Sequence, residues 1–144
     1  MDDSLGNILA NLNDSSCYGT TNCNGKFNQY QCTWYCWGRA KEKTRKSLSF
    51  NGSANGFEWY SNINTSNVSK RAASLDPAKN SIASFSGGSQ GYGHVLFIED
   101  VANGYTYFTE YNFVQSQNAK LQKTPTSSFA TFRFNFTLNG YIVI

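Results

Sequence analysis

Hydrophobic and polar positions change their period part-way along the chain. Ahead of residue 80 the apolar residues recur at helical spacings, and from His94 onward they alternate. Leu5, Ile8, Leu9 and Leu12 fit one short helical face within a polar N-terminal stretch. Gly25 and Asn28 then supply loop chemistry ahead of a longer helix over about 29–46, which opens with aromatic and small residues and closes in a basic tail. Cys32 falls in its first turn, and Cys36, four residues on, shares that face as a small buried hydrophobe. The stretch 51–64, with Phe57, Trp59 and Tyr60, predicts a second short helix, and 66–74 a further helical turn or an irregular crossing. Residues 94–101, 104–113, 129–136 and 141–144 read as strands, with 81–85 as the strand before them. Ala102-Asn103-Gly104 turns the first pair into a hairpin, and the glycine-rich loop 87–93 leads directly to His94. Helices first and an antiparallel sheet afterwards predict an α+β domain.

At 144 residues the chain is long enough for one domain with a real core, and 40% hydrophobic with 16% aromatic residues makes it globular. No apolar run approaches the roughly 20 residues of a membrane span. Asp2 and Asp3, without an apolar core behind them, leave no secretory signal to read. A net charge of +3 is too small to argue nucleic-acid binding. Five cations, Arg39, Lys41, Lys43, Arg45 and Lys46, fall within eight residues. A solvated helix end suited to the dipole explains them first, and contact with an anionic polymer second. Cys17 and Cys23 are six apart and can pair in an oxidising exterior. The four cysteines lack the paired C-x₂₋₄-C spacing of a zinc site, so no metal is expected from them.

Candidate chemistry starts at Cys32. In a first helical turn the unpaired N–H groups and the positive dipole end favour a thiolate. A nucleophile there needs a base, and the chain has one histidine, His94, at the start of a predicted strand. The two are the elements of a papain-type pair. Glu110 and Asn112 stand two apart on a predicted strand, so both emerge on one face beside His94, and either can orient the imidazole. Glu99 and Asp100 are rival acids near a strand end.

The block Gln31-Cys32-Thr33-Trp34-Tyr35 followed by Trp37-Gly38-Arg39-Ala40 resembles the signature of the CHAP family, cysteine- and histidine-dependent amidohydrolases/peptidases that cut bacterial peptidoglycan. Gly52-Ser53-Ala54 with Trp59, Ser81-Ile82-Ala83-Ser84-Phe85, Gly93-His94-Val95 with Phe97-Ile98-Glu99, and Glu110-Tyr111-Asn112 agree in order and spacing. Tyr30 departs from the pattern, which usually has glycine before the glutamine. The resemblance implies a papain-like fold, with N-terminal helices packed on a C-terminal antiparallel sheet, over a catalytic domain at 22–144 preceded by an extension or linker at 1–21. It also implies Cys32, His94 and Glu110 as catalytic residues, with Asn112 as a supporting amide. Some members bind calcium near the asparagine-rich loop 22–28. Here asparagines replace the aspartates, and Trp34 stands where a further carboxylate is expected, which disfavours that ion.

In the mechanism this implies, His94 takes the Cys32 proton and the thiolate attacks a wall-peptide amide. The Cys32 backbone N–H and Gln31 hold the oxyanion. Trp59 and Tyr92 are groove candidates, whereas Trp34 and Trp37 read as core. No metal or organic cofactor is required. Peptidoglycan is the expected partner, together with a separate wall-binding domain or virion component. The site of action is then the bacterial cell wall, as a phage-type lysin module cutting as an amidase or an endopeptidase. Two alternatives stay open: an inactive wall-binding or structural module of the same fold, and a thiol amidase with another substrate.

Overall fold

Alternating apolar residues build a sheet that buries both of its faces. The computed structural model describes residues 10–19 and 27–144. A two-residue strand β1 (Phe27–Asn28) precedes β2 (Ser69–Ala72), β3 (Ser81–Gly87), β4 (His94–Ala102), β5 (Tyr105–Thr109), β6 (Gln122–Pro125) and β7 (Phe136–Val143). The last six form one antiparallel sheet in the order β2-β7-β3-β4-β5-β6. Ile82, Val95, Phe97 and Ile142 point to one face, against the aromatics of the main helix. Ala83, Phe85, Leu96, Ile98 and Tyr141 point to the other, where Phe129 covers them. That two-sided alternation is the period-two signal of the sequence. The β4–β5 hairpin turns at Asn103 (φ 55°) and Gly104 (φ 82°), the pair of left-handed residues that a two-residue hairpin loop requires.

Among the described residues three α-helices flank the sheet: α1 (Ser15–Tyr18), α2 (Cys32–Thr44) and α3 (Trp59–Asn62). The main helix, α2, starts later than the 29–46 reading because Tyr30 holds φ 109° and Gln31 is extended. It stops when Arg45 turns left-handed and its N–H bonds the Lys41 carbonyl at 2.8 Å, with Lys41 and Lys43 at the negative dipole end. Within the stretch 1–21, Cys17 and Tyr18 of α1 are buried in the helix-side core, and Trp34 Nε1 donates to the Gly19 carbonyl at 2.8 Å. The helix expected over 5–12 and the Cys17–Cys23 pairing fall largely outside the described residues, as do positions 22–26 of the asparagine-rich loop.

Two of the five cations of the basic cluster turn inward to a buried carboxylate. Arg39 is buried, and its Nε and Nη2 donate to the two carboxylate oxygens of Glu99 at 2.9 and 3.0 Å, while Nη1 reaches Glu42 at 2.6 Å. Lys43 Nζ and Thr109 Oγ1 also donate to Glu99, at 3.3 and 2.8 Å, and the Tyr35 hydroxyl donates to Thr109 at 2.7 Å. Tyr35, Arg39 and Lys43 recur every four residues, so one stripe of α2 is riveted to β4 and β5 through a fully buried carboxylate.

Three strand assignments change. Residues 66–74 contain the edge strand β2, whose Ser-Lys-Arg-Ala run has no apolar alternation to read. Residues 129–136 are not a strand but a 3₁₀ turn (Thr126–Thr131) and a loop: Phe129 and Phe132, three apart, both pack on the sheet, and β7 begins only at Phe136. The polar strand β6 ends in Pro125 on the opposite edge and carried no signal.

Candidate active site

Cys32 occupies the first position of α2, delivered there by the extended Gln31. His94 opens β4 directly after Gly93, whose φ of 71° turns the chain into the strand. That approach is tight. A Cβ at Gly56, on the 3₁₀ turn Gly56–Glu58, would stand 2.7 Å from the His94 nitrogen and 2.9 Å from its Cα. The buried Ser84 hydroxyl pins this turn by donating to the Gly56 carbonyl at 2.7 Å.

Cys32 and the His94 ring bear on each other through charge and hydrogen bonding. His94 Nε2 lies 2.7 Å from Glu110 Oε1, so the contact with sulfur falls to Nδ1. His94 and Glu110 are buried, while Cys32 is partly open to the groove. Burial opposes ionisation of the Cys32 thiol, but the charge and hydrogen bond of His94, with the N–H groups of Val95 and Thr33, hold it below the ordinary thiol range. Burial likewise lowers the imidazole, but Cys32 and then Glu110 raise it to about 9. The two groups shift in opposite directions, each favouring the charged form of the other. Glu110 is held down at about 2: burial raises it, and hydrogen bonds from Arg133 and His94 prevail.

Arg133 has no place in the sequence reading. It lies in the stretch taken for a strand and donates through two nitrogens to both oxygens of Glu110. A lone cation inside the aromatic run Phe129, Phe132, Phe134 and Phe136 was the available signal, since burying one demands a partner. Gln122 also donates to Glu110 Oε2, at 3.0 Å.

A groove of about 670 Å³ opens over the pair, lined by Gln31, Cys32, Asn55, Tyr92, His94 and Phe113 among others. Tyr92 is exposed on its wall, but Trp59 is not a wall residue: it is fully buried and donates to the Ala54 carbonyl at 2.9 Å. Trp34 and Trp37 are buried in the core. Asn112 is also displaced from its expected place. The strand ends at Thr109, Asn112 is left-handed (φ 60°), and Nδ2 donates to Gln31 Oε1 at 3.2 Å rather than meeting His94. The period-two argument does not reach Asn112, three residues past the strand end, and of the two polar candidates only Glu110 touches the imidazole. Of the rival acids, Glu99 binds Arg39 and Asp100 accepts from the Val101 N–H at 2.9 Å. Among the described residues no group of three or more His, Cys, Asp and Glu is placed to hold a metal, and no helix is long and apolar enough to cross a membrane.

A cysteine at a helix start, a histidine at a strand start and a carboxylate behind it, in an α+β domain, form the papain-like class of arrangement. Within that class the chain belongs to the CHAP family: the model of the CHAP domain matches residues 22–112. No curated protein sequence matches the chain. Among solved structures it is similar to Ly7917 with the hydrolyzing product of MDP (TM-score 0.60, 14% identity, 78% of this chain and 53% of that one). A second structure of Ly7917 gives a TM-score of 0.61 at 15% identity, over 78% and 52% of the two chains. The chain thus spans about half the length of those structures.

Proposed function

We propose that this chain is a peptidoglycan hydrolase that cleaves an amide bond of the bacterial wall peptide through Cys32. The observation that carries the reading is the Cys32–His94 pair, backed by Glu110 and open to a groove. Membership of the CHAP family and the product-bound Ly7917 structure support the substrate class. His94 accepts the thiol proton, and the sulfur attacks the amide carbon to form a tetrahedral oxyanion. The Cys32 backbone N–H is one donor to that oxyanion. Gln31 is a second, its Oε1 engaged by Asn112 and its amide nitrogen left as the donor on the groove wall. The C–N bond then breaks as His94 protonates the departing amine, leaving an acyl thioester on Cys32. Water, deprotonated by His94, adds to the thioester carbon; the C–S bond breaks and the thiol is restored. Glu110 accepts the Nε2 hydrogen throughout and holds the ring with Nδ1 toward sulfur. Asn112 supports Gln31 rather than His94, and Tyr92 is a groove wall.

This places the domain at the cell wall, as a lysin-type module working beside a separate wall-binding segment. Turbidity loss of purified walls tests the reading. The expected result is lysis by the unaltered chain and none by Cys32→Ala or His94→Ala, both folded by circular dichroism. Turnover retained in Cys32→Ala would remove the sulfur from the mechanism. Mass spectrometry of the released muropeptides then tells cleavage beside the lactyl group from cleavage within the peptide.

A further inference from the structure

Glu110 is held far more firmly than orienting one imidazole requires. Its carboxylate accepts from His94 Nε2, from two nitrogens of Arg133 and from Gln122 Nε2, so both oxygens carry two donors each. Arg133 is itself nearly buried, its side chain 11% exposed. Its guanidinium carbon lies 3.7 Å from the Phe113 ring centroid and 4.8 Å from that of Phe132. A planar cation between two rings has few orientations, and here its fork faces the carboxylate. Phe113 also packs on His94, with ring centroids 4.9 Å apart, and lines the groove.

We propose that Arg133 is a positioning residue for the Cys32–His94 pair, acting through Glu110 both by fixing the carboxylate and by balancing its charge. The inference rests on the thiol reading given above and extends it to a residue outside the sulfur, imidazole and acid. The charged and titratable groups that bear on Glu110 are His94 from β4, Cys36 from α2 and Arg133 from the loop before β7. Without Arg133 the site holds a buried carboxylate beside a thiolate, with imidazolium as its one cation. Two consequences follow. The carboxylate gains freedom to turn away from Nε2, which disorders the base. The added net negative charge makes the thiolate harder to form and the imidazolium harder to deprotonate, so both limbs of a pH profile move upward.

The test uses Arg133→Ala, Arg133→Lys, Glu110→Gln and the Arg133→Ala/Glu110→Gln double variant of the whole chain. Two readouts are taken: kcat and KM on purified walls, and the pH profile of iodoacetamide alkylation at Cys32, resolved from the other cysteines by peptide mass spectrometry. Arg133→Ala is expected to lose about tenfold or more in kcat with KM within about twofold. Its alkylation midpoint should rise by about half a pH unit to one unit. Arg133→Lys, which keeps the charge without the fork, should hold the midpoint and lose part of kcat. In the Glu110→Gln background, Arg133→Ala should cost nothing further, because a residue acting through Glu110 has no second route. Unaltered kcat and midpoint in Arg133→Ala overturn the proposal, as does a full Arg133 loss repeated in the Glu110→Gln background. Should Arg133→Ala fail to fold, Arg133→Lys decides: reduced kcat at an unmoved midpoint supports the proposal, and full kcat overturns it. Alkylation needs no wall substrate, so the two levels separate. An unaltered chain whose Cys32 titrates as an ordinary thiol near about 8.5 removes the thiol reading itself, whatever Arg133 does.

Discussion

Glu99 and Glu110 are both fully buried acids within hydrogen-bond reach of an arginine, yet only Glu110 touches His94, and Glu99→Gln separates their roles. The substitution keeps volume, so it opens no cavity, but it removes the charge that Arg39 faces through two hydrogen bonds at 2.9 and 3.0 Å. It also weakens the acceptor used by Lys43 and Thr109. Breaking one partner from a buried pair costs about 3–5 kcal/mol. Arg39 retains Glu42 at 2.6 Å, and the glutamine keeps one acceptor oxygen, which puts the loss at the lower end, about 3 kcal/mol. For a domain of this size each kcal/mol moves the midpoint by roughly 3 °C, so a fall of about 10 °C is expected. Thermal unfolding followed by circular dichroism at pH 7 measures it, and kcat is taken at about 20 °C, well below the midpoint. The expected pattern is a large loss of Tm with kcat within about twofold of the unaltered chain. A midpoint within about 2 °C refutes the claim that this network ties α2 to the sheet. A collapse of kcat in a folded Glu99→Gln protein refutes the division of labour between the two acids.

Three further outcomes follow from the same geometry. Gly56→Ala places a methyl group against the His94 backbone, at 2.7 and 2.9 Å from its nitrogen and Cα, with Ser84 holding the turn in place. It is expected to cost about tenfold or more in kcat, for the reason that small misplacements of a base are costly, and unaltered turnover counts against a rigid His94. Gly38→Ala drives a Cβ into the Tyr18 ring and to 2.8 Å from the Cys17 carbonyl, so urea unfolding should show about 1–3 kcal/mol of destabilisation with kcat retained. The pH dependence of stability has two windows. The Glu110 carboxyl is depressed from 4.5 to about 2, so its contribution is complete above 4.5 and is lost as pH falls toward 2. The His94 imidazole is raised from 6.5 to about 9, so its contribution is complete below 6.5 and is lost as pH rises through 9. Urea midpoints across pH 2–10 check both windows, and Glu110→Gln should flatten the acid one.

The parts of the site that sequence made legible are those fixed by local rules. Cys32 follows from a helix start, His94 from a glycine turn feeding an apolar strand, and the β4–β5 hairpin from Asn103-Gly104. What stayed hidden depends on partners distant in the chain. Arg133 stands 23 residues from Glu110 in a stretch whose phenylalanines mimic a strand, although Phe129 and Phe132 pack at a spacing of three. Arg39 looked like part of a solvated basic tail because nothing local reveals that Glu99 waits across the sheet. The choice between Glu110 and Asn112 stays open in the sequence because a strand's period does not carry three residues past its end at Thr109. Trp59 and Tyr92 part by burial alone, which composition cannot distinguish: one donates to Ala54 within the core, and the other stands on the groove wall.

The helix itself carries a control for what activates the sulfur. Cys32 and Cys36 lie one turn apart on the same stripe of α2, and burial opposes ionisation of both more than any other influence does. They nevertheless shift in opposite directions, Cys32 below the ordinary thiol range and Cys36 well above it. A helix N-terminus is worth about 0.3–1 kcal/mol to an anion, less than the 1.36 kcal/mol of a single pKa unit, and it fades within the first turn. At Cys32 burial is the largest single influence, and the charge and hydrogen bond of His94 come next. What differs is the company each thiol keeps. Cys32 faces His94 and the N–H groups of Val95 and Thr33, whereas Cys36 faces Cys32, Glu110 and Glu99, which all carry or approach negative charge. Burial first, and then the charges of Cys32, Glu110 and Glu99, hold the Cys36 thiol up. Of the two cysteines on one helical stripe only Cys32 meets the imidazole, so the proposed mechanism has one sulfur to draw on.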